Sequence, residues 1–193
     1  ILKQKKVRGA EHYLKYIDYM STVIKEDFEF LQTAYPNETS HIKYIQFNYG
    51  GAIMNNTESN TMGNNILIGN NADYSNNHIE SFKLLKDIDL GNRFVYVPLS
   101  YGGNSWYISE ILKKGKYYLG NKFKPLLGFM PFSEYNKILS SIGFAIMNHS
   151  RQQGMGNILN LLVKGAKIYM DPKNPATIYL LRLGINVEDI NNI

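Results

Sequence analysis

Along this chain, short apolar runs alternate with stretches whose apolar residues recur every three or four positions. The first rhythm predicts strands, and the second predicts amphipathic helices. Residues 10–47 read as helix, strand, helix, strand. The β-branched "YMSTVI" (19–24) predicts a short strand. "KEDFEFLQTAY" (25–35) places Phe28, Leu31 and Gln32 on helical spacing and stops at Pro36. "HIKYIQF" (41–47) alternates like a strand. "NYGGAIMNNTESNTMGNN" (48–65) carries neither rhythm, and its length predicts a domain linker or a functional loop.

Beyond residue 65 the alternation sharpens. "ILIG" (66–69) is a continuous apolar run, expected of a strand buried on both faces. "SNNHIESFKLLKD" (75–87) puts Ile79, Phe82 and Leu85 along one helix face. "RFVYVPLS" (93–100) predicts the next strand. "SWYISEILKKG" (105–115) predicts a helix closed by a glycine, and "KYYLG" (116–120) a short strand. "LLGFMPFSEYNKILSSI" (126–142) predicts a strand start and then a helix. Tyr135, Ile138, Leu139 and Ile142 form its apolar face, and Ser133 its N-cap. "GFAIMN" (143–148) and "AKIYMD" (166–171) predict strands around a helix that starts near residue 155. "PKNP" reads as a turn before "ATIYLLRLG" (176–184). Alternation at this spacing predicts an α/β fold, with a mostly parallel sheet and helices on both faces.

Composition narrows the chemistry. A chain of 193 residues, 44% hydrophobic and 19% charged, supports one sizeable core plus a smaller appendage. It has no cysteine, which excludes disulfides and thiolate metal sites. Its four histidines show no metal-ligand spacing, so neither a metal nor another cofactor is expected. No apolar run approaches the roughly 20 residues of a membrane span, and no secretory leader pattern opens the chain, so the cytoplasm is the simplest compartment. The chain starts without Met and ends just after a strand start, as expected of a fragment of a longer protein. The net charge of +5 is mild. "LKQKKVR" (2–8) is its one tight basic cluster, either a solvated surface or an attraction for anionic headgroups or polyphosphates. The 15 tyrosines sit mostly at packing positions rather than interleaved with basic residues, which argues against nucleic acid as a partner.

In an open parallel sheet, ligands bind beyond the carboxyl ends of the strands. The loops that fall there are "GNNADYSNNH" (69–78), "SYGGNS" (100–105), "GFMPFSE" (128–134), "NHSRQQGMGN" (148–157) and "DPKNP" (171–175). All carry Gly, Asn, Ser or Arg. In "RQQGMGN", Gly154 and Gly156 allow close backbone approach, and the following helix aims its N-terminal N–H groups at a ligand. Arg151 can add a bidentate contact, so the stretch suits a diphosphate. An ordinary βα turn with Arg151 paired to a surface carboxylate fits the pattern equally well. No Lys-Ser/Thr follows the glycines, and the spacing is not GxGxxG. Gly69, Asn70 and Asp73 suit contact with a sugar or diphosphate, while Ser75, Asn76 or Asn77 suits helix capping. His78 is expected to be a packing residue. The backbone around Phe129 and Met130 can hold a nucleobase, or can form a plain turn before a helix.

Three stretches, "ILIGNNADYSNNHIESFKLL", "VYVPLSYGGNSWYISEI" and "FMPFSEYNKILSSIGFAIMNHSRQQGMGNILNLLVKGAKIYMDPKNP", resemble the C-terminal half of bacterial 4-acetamido-4,6-dideoxygalactose transferases, glycosyltransferase family 56. The resemblance spans residues 64–185 and rests on G-N-x-x-D-x-S-N-x-H-I followed by R-Q-Q-G-x-G. It implies a GT-B fold of two Rossmann-like domains. Residues 1–47 are then the last βα units of the acceptor domain, 48–63 a linker, and 64–193 the donor-binding domain. It implies a TDP-sugar donor (TDP-Fuc4NAc) and a polyprenyl-diphosphate-linked acceptor, lipid II of enterobacterial common antigen synthesis. It also implies peripheral attachment at the inner face of the cell membrane. Carried onto this chain, donor contact falls on Arg151, Gln152, Gln153, Gly154, Gly156 and Asn157. It falls less firmly on Gly69, Asn70, Asp73, Ser75 and Asn76, with Phe129 and Met130 at the base. No catalytic base is assigned. A GT-B epimerase or hydrolase, or a donor-binding module inactive without its other half, remains open.

Overall fold

The computed structural model describes residues 9–46 and 63–193, which fall into two compact units. The basic cluster 2–8 and nearly all of the linker expected at 48–63 lie outside the described residues. Each unit is treated by itself.

In the first unit, α1 (Ala10–Leu14), β1 (Tyr19–Met20), α2 (Lys25–Ala34), α3 (Pro36–Thr39) and β2 (Lys43–Tyr44) follow one another. β1 and β2 pair in parallel. Leu14, Phe28, Tyr35 and Ile42 form the core, and the Phe28 ring stacks on Tyr44 at 5.3 Å. Both strands are shorter than the apolar pattern predicts. Ile24 leaves strand pairing to occupy the N-cap position of α2, with its side chain buried. Pro36 ends α2 and also opens α3, because a proline at the first helical position gives up no hydrogen bond.

The second unit is a six-stranded parallel sheet. Its elements are β3 (Asn65–Ile68), α4 (His78–Leu85), β4 (Val95–Pro98), α5 (Ser105–Leu119), β5 (Phe123–Leu126), α6 (Phe132–Ser140), β6 (Ile142–Met147), α7 (Met155–Val163), β7 (Lys167–Met170), α8 (Pro175–Arg182) and β8 (Glu188–Asp189). The strand order is β5-β4-β3-β6-β7-β8. The chain therefore winds outward from β3 in one direction, then crosses to β6 and winds outward in the other. Right-handed crossovers put helices on opposite faces for the two directions. Ile66, Ile68, Val95, Val97 and Ile146 form a core with Phe82 of α4 and Ile111 of α5. Their strand neighbours Leu67, Ala145, Met147, Ile168 and Met170 point the other way and are fully buried as well.

Local expectations are corrected in three places. Residues 116–120 are not a strand: α5 runs on to Leu119, burying Ile111, Gly115 and Leu119. Gly115 is no cap but a point of close approach, since a Cβ there meets the Phe123 ring at 2.5 Å. Ser133 does not cap α6, whose N-cap position is Pro131 without a side-chain bond, and Ile142 opens β6 instead of extending the helix face. The helix expected from residue 75 begins as a 3₁₀ turn, Tyr74–Asn76, broken from α4 by Asn77 at φ 49°.

Candidate functional site

The strand order reverses between β3 and β6, so the crevice of this sheet opens at their carboxyl ends. Both sequence motifs fall there: residues 69–77 leave β3, and residues 148–154 leave β6. Gly69 (φ 68°) and Gly154 (φ 69°) adopt left-handed backbone at the two exits. A Cβ on Gly154 lies 3.1 Å from His149 Cε1 and 3.2 Å from Asn70 Cγ, so the two loops meet at this glycine.

Hydrogen bonds hold the loops together. Ser150 N donates to Ser75 O at 2.8 Å. Asn77 Nδ2 donates to Asn148 O at 2.9 Å and to Ser150 Oγ at 3.0 Å. Ser75 Oγ lies 2.5 Å from Asp73 Oδ1 and 2.8 Å from the Gln153 side-chain amide. A hydroxyl carries one proton, and the carboxylate takes it. The structure sets Gln153 Oε1 against this hydroxyl, and turning the amide over would let its otherwise unpartnered nitrogen donate to Ser75 Oγ. Asn76 is fully buried and braces its own loop, accepting from Asn70 N and donating to Asn71 Oδ1 and Asp73 O. Asn174 caps α8 with its carbonyl and donates to His149 O at 2.7 Å and Arg151 O at 3.1 Å. The Asp73 carboxyl is held below its usual range by the Ser75 hydroxyl and amide bonds, with smaller help from the Arg151 and His78 charges against its partial burial.

The sequence candidates thus separate by role. Ser75 and Gln153, with Asn77, tie the two loops to each other, while Asp73 and Asn76 brace the first loop from within. Arg151 is exposed, and its guanidinium makes a 3.5 Å contact with Gln152 O. Gln152 is half-buried beside it. Gly156 faces open space, and Gly154 is the N-cap of α7. The first intrahelical bond of α7 runs from Ile158 N to Gly154 O, which leaves the N–H groups of Met155, Gly156 and Asn157 outside the helical ladder. A neighbouring cavity of about 300 Å³ brings Asn70, Phe129, Met130 and Asn157 together with Pro98, Tyr101 and Tyr135. Asn157 Nδ2 donates to Tyr135 Oη at 2.9 Å. Phe129 is 92% exposed and, with Tyr101 and Phe132, offers aromatic faces at the mouth.

Two more residues matter here: His149, which sequence did not single out, and His78, expected only as a packing residue. His149 and His78 are almost completely buried. His78 Nδ1 sits 3.2 Å from Tyr107 Oη, while His78 Nε2 and both ring nitrogens of His149 have no partner in hydrogen-bonding geometry. Burial, then the charges of His78 and Arg151, push His149 down to about 3, opposed by the backbone at Gln153. Burial pushes His78 down to about 4, opposed by the backbone at Asn71 and by Asp73. Both rings are neutral at pH 7. Asn70 Oδ1 is buried and unpartnered next to them. Among the described residues, no group of three or more His, Asp or Glu side chains is placed to hold a metal ion.

An open helix N-terminus, an exposed arginine and an aromatic-mouthed cavity lie side by side; groups of the first two kinds suit an anion, and of the third a flat ring. Known proteins agree with the fold. The structure titled "OtsA apo structure" superposes with a TM-score of 0.52 at 12% identity, covering 68% of this chain and 34% of that one. The N-terminal domain of Candida albicans trehalose-6-phosphate phosphatase gives a TM-score of 0.52 at 12% identity, covering 95% of this chain and 38% of that one. The chain thus spans little more than a third of the length of these proteins, and its Rossmann-like α/β class is the one expected from the sequence. Residues 19–188 match the family described as 4-alpha-L-fucosyltransferase, glycosyl transferase group 56, and the chain belongs to that glycosyltransferase family.

Proposed function

We propose that the second unit binds the nucleotide-sugar donor of a glycosyl transfer, with the diphosphate on the N-terminus of α7 and the base in the cavity of Tyr101, Phe129 and Phe132. The observation that carries this reading is the pairing of uncommitted donors: Arg151 is exposed, and the first N–H groups of α7 lie at a glycine with open space over it. In the reaction, the bond from sugar C1 to the diphosphate breaks and negative charge gathers on the departing diphosphate. Fixed N–H dipoles and Arg151 stabilise that charge without reorganising. Asn157 and Gln152 add hydrogen bonds at its edge. No residue of the described chain is assigned as the base for the acceptor hydroxyl.

The family match supports a fucosyltransferase-type transfer, and the resemblance of the sequence motifs supports taking the donor as a deoxyamino sugar of the 4-acetamido-4,6-dideoxygalactose type on TDP, with a polyprenyl-diphosphate-linked saccharide as acceptor. In this reading residues 1–47 close an acceptor-binding domain, residues 48–63 link it to the donor domain, and the whole protein sits peripherally at the cytoplasmic face of the inner membrane. The exposed Tyr13, Tyr16 and Tyr19 support that attachment, with Lys15 4.8 Å from the Tyr16 ring and Lys43 5.8 Å from the Tyr19 ring. No helix among the described residues is long and apolar enough to cross a membrane.

Calorimetric titration with TDP, UDP and GDP tests the donor. TDP is expected to bind selectively, and Arg151→Ala to weaken it by roughly 10- to 100-fold, the usual cost of a charge-assisted hydrogen-bond partner. Preference for UDP or GDP would change the donor and keep the site. Absence of binding by all three contradicts the reading.

A further inference from the structure

The buried histidine pair is unexplained by loop bracing. His149 lies directly beneath Gly154, the residue that starts α7, and His78 lies beneath Gly69, where an added Cβ comes 3.0 Å from His78 Nε2. Three ring nitrogens and Asn70 Oδ1 are buried without partners at this one place. Leaving such groups unsatisfied is costly, and it persists where something else completes them. Resting on the diphosphate reading above, we propose that His149, backed by His78, is a proton-accepting part of the diphosphate site, so that the protein takes up a proton when the nucleotide binds.

The surroundings supply the physical reason. His149 is kept neutral by burial, by His78 at the start of α4, since a proton on one ring disfavours a proton on the other, and by the standing positive charge of Arg151 in its own loop. The other charged or titratable groups in reach act through His78: Asp73 from the loop after β3, and Tyr107 of α5, whose hydroxyl is itself held neutral by burial and by Glu80. A diphosphate over Gly154 alters the balance in two ways. It engages the Arg151 guanidinium, which removes a repulsion from the His149 ring. It also brings negative charge to the far side of Gly154 from a buried ring that has no anionic neighbour of its own, which favours the imidazolium. An opposite charge within about 4–6 Å raises such a pKa by about 1 to 3, which from about 3 brings protonation of the ring in the complex to the pH 5 end of the range rather than to pH 7. The neutral ring of the free protein and the protonated ring of the complex are then two states that ligand and pH bias jointly.

The test is calorimetric titration with TDP in buffers of different ionisation heat, between about pH 7 and pH 5. Wild-type protein and His149→Gln are compared, because the nucleotide's own phosphate also titrates in this range. Wild type is expected to take up protons in excess of the variant, increasingly so toward lower pH. Equal uptake by a folded His149→Gln overturns the proposal while leaving the nucleotide site intact. If that variant does not fold, imidazole NMR of the wild type decides. The His149 signals move toward the imidazolium pattern on adding TDP if the proposal holds, and remain those of a neutral ring if it does not. If TDP, UDP and GDP all fail to bind, the diphosphate reading itself falls, and this proposal with it.

Discussion

At the scale of single residues, Gly154 and the two histidines carry the most specific consequences. Gly154 has φ 69° and already approaches Asn70 and His149. Gly154→Ala places a Cβ in a strained backbone region and 3.1 Å from the His149 ring. It is expected to cost roughly 1–3 kcal/mol of stability, read from denaturant midpoints, and to weaken nucleotide binding further. The histidines set an acid limit. Their folded pKa values, about 4 for His78 and about 3 for His149, lie below the ordinary 6.5. Below pH 6.5 the unfolded chain binds protons that the folded chain refuses. Stability is therefore fully present above about 6.5 and falls as pH drops toward 4, by up to about 1.4 kcal/mol per pH unit for each histidine. Asp27, raised to about 6 by burial and by Glu26, acts in the opposite direction over part of this window. The measurement is thus the difference between wild type and His149→Gln in unfolding free energy against pH, and wild type is expected to be the more acid-sensitive.

Sequence reading singled out Arg151, Gly154 and Gly156 because the chemistry proposed for them depends on local spacing, which a sequence displays. It passed over His149 because its meaning lies in what surrounds it. A histidine next to a surface-type Ser-Arg pair gives no sign that its ring turns inward beneath a glycine from the same loop. Likewise, Ser75 and Gln153 read as ligand contacts, and only the tertiary pairing of two loops shows them bonded to each other.

At the scale of elements, the parallel alternation was legible from residue 65 onward, because strands buried on both faces leave continuous apolar runs. The misreadings cluster where tertiary contact overrides local pattern. A glycine followed by Lys-Tyr-Tyr resembles a helix end and a strand. The Phe123 ring, however, lies against Gly115 and lets α5 continue for another turn. Gly115→Leu is accordingly expected to destabilise the second unit by about 1–3 kcal/mol, as overpacking does, with no direct effect on nucleotide contacts. Thermal melting with and without TDP separates the two effects: the midpoint falls, and the upward shift produced by TDP is retained. The short strands of the first unit were over-extended for a similar reason, since Ile24 and Ile42 bury their side chains in loops rather than in a ladder.

At the scale of the whole molecule, the second unit is proposed as a donor-binding half, with the acceptor left to the remainder of the protein. The exposed tyrosines of the first unit are expected to contribute to membrane attachment of the full-length protein. Sedimentation with vesicles containing anionic lipid checks this. Binding is expected at low salt, reduced by replacing Tyr13, Tyr16 and Tyr19 together with serine, and lack of binding counts against peripheral attachment.

The central claim is that a nucleoside diphosphate sits where the strand order reverses, on the N-terminus of α7. Amide NMR of the protein during titration with TDP tests it most directly. The account predicts that the largest shifts fall on Gly69 and on Arg151 through Asn157, with smaller ones at Tyr101 and Phe129. Shifts concentrated elsewhere, for example in the groove of Ile66, Leu85, Phe144 and Ile193, with those loops unmoved, would contradict it.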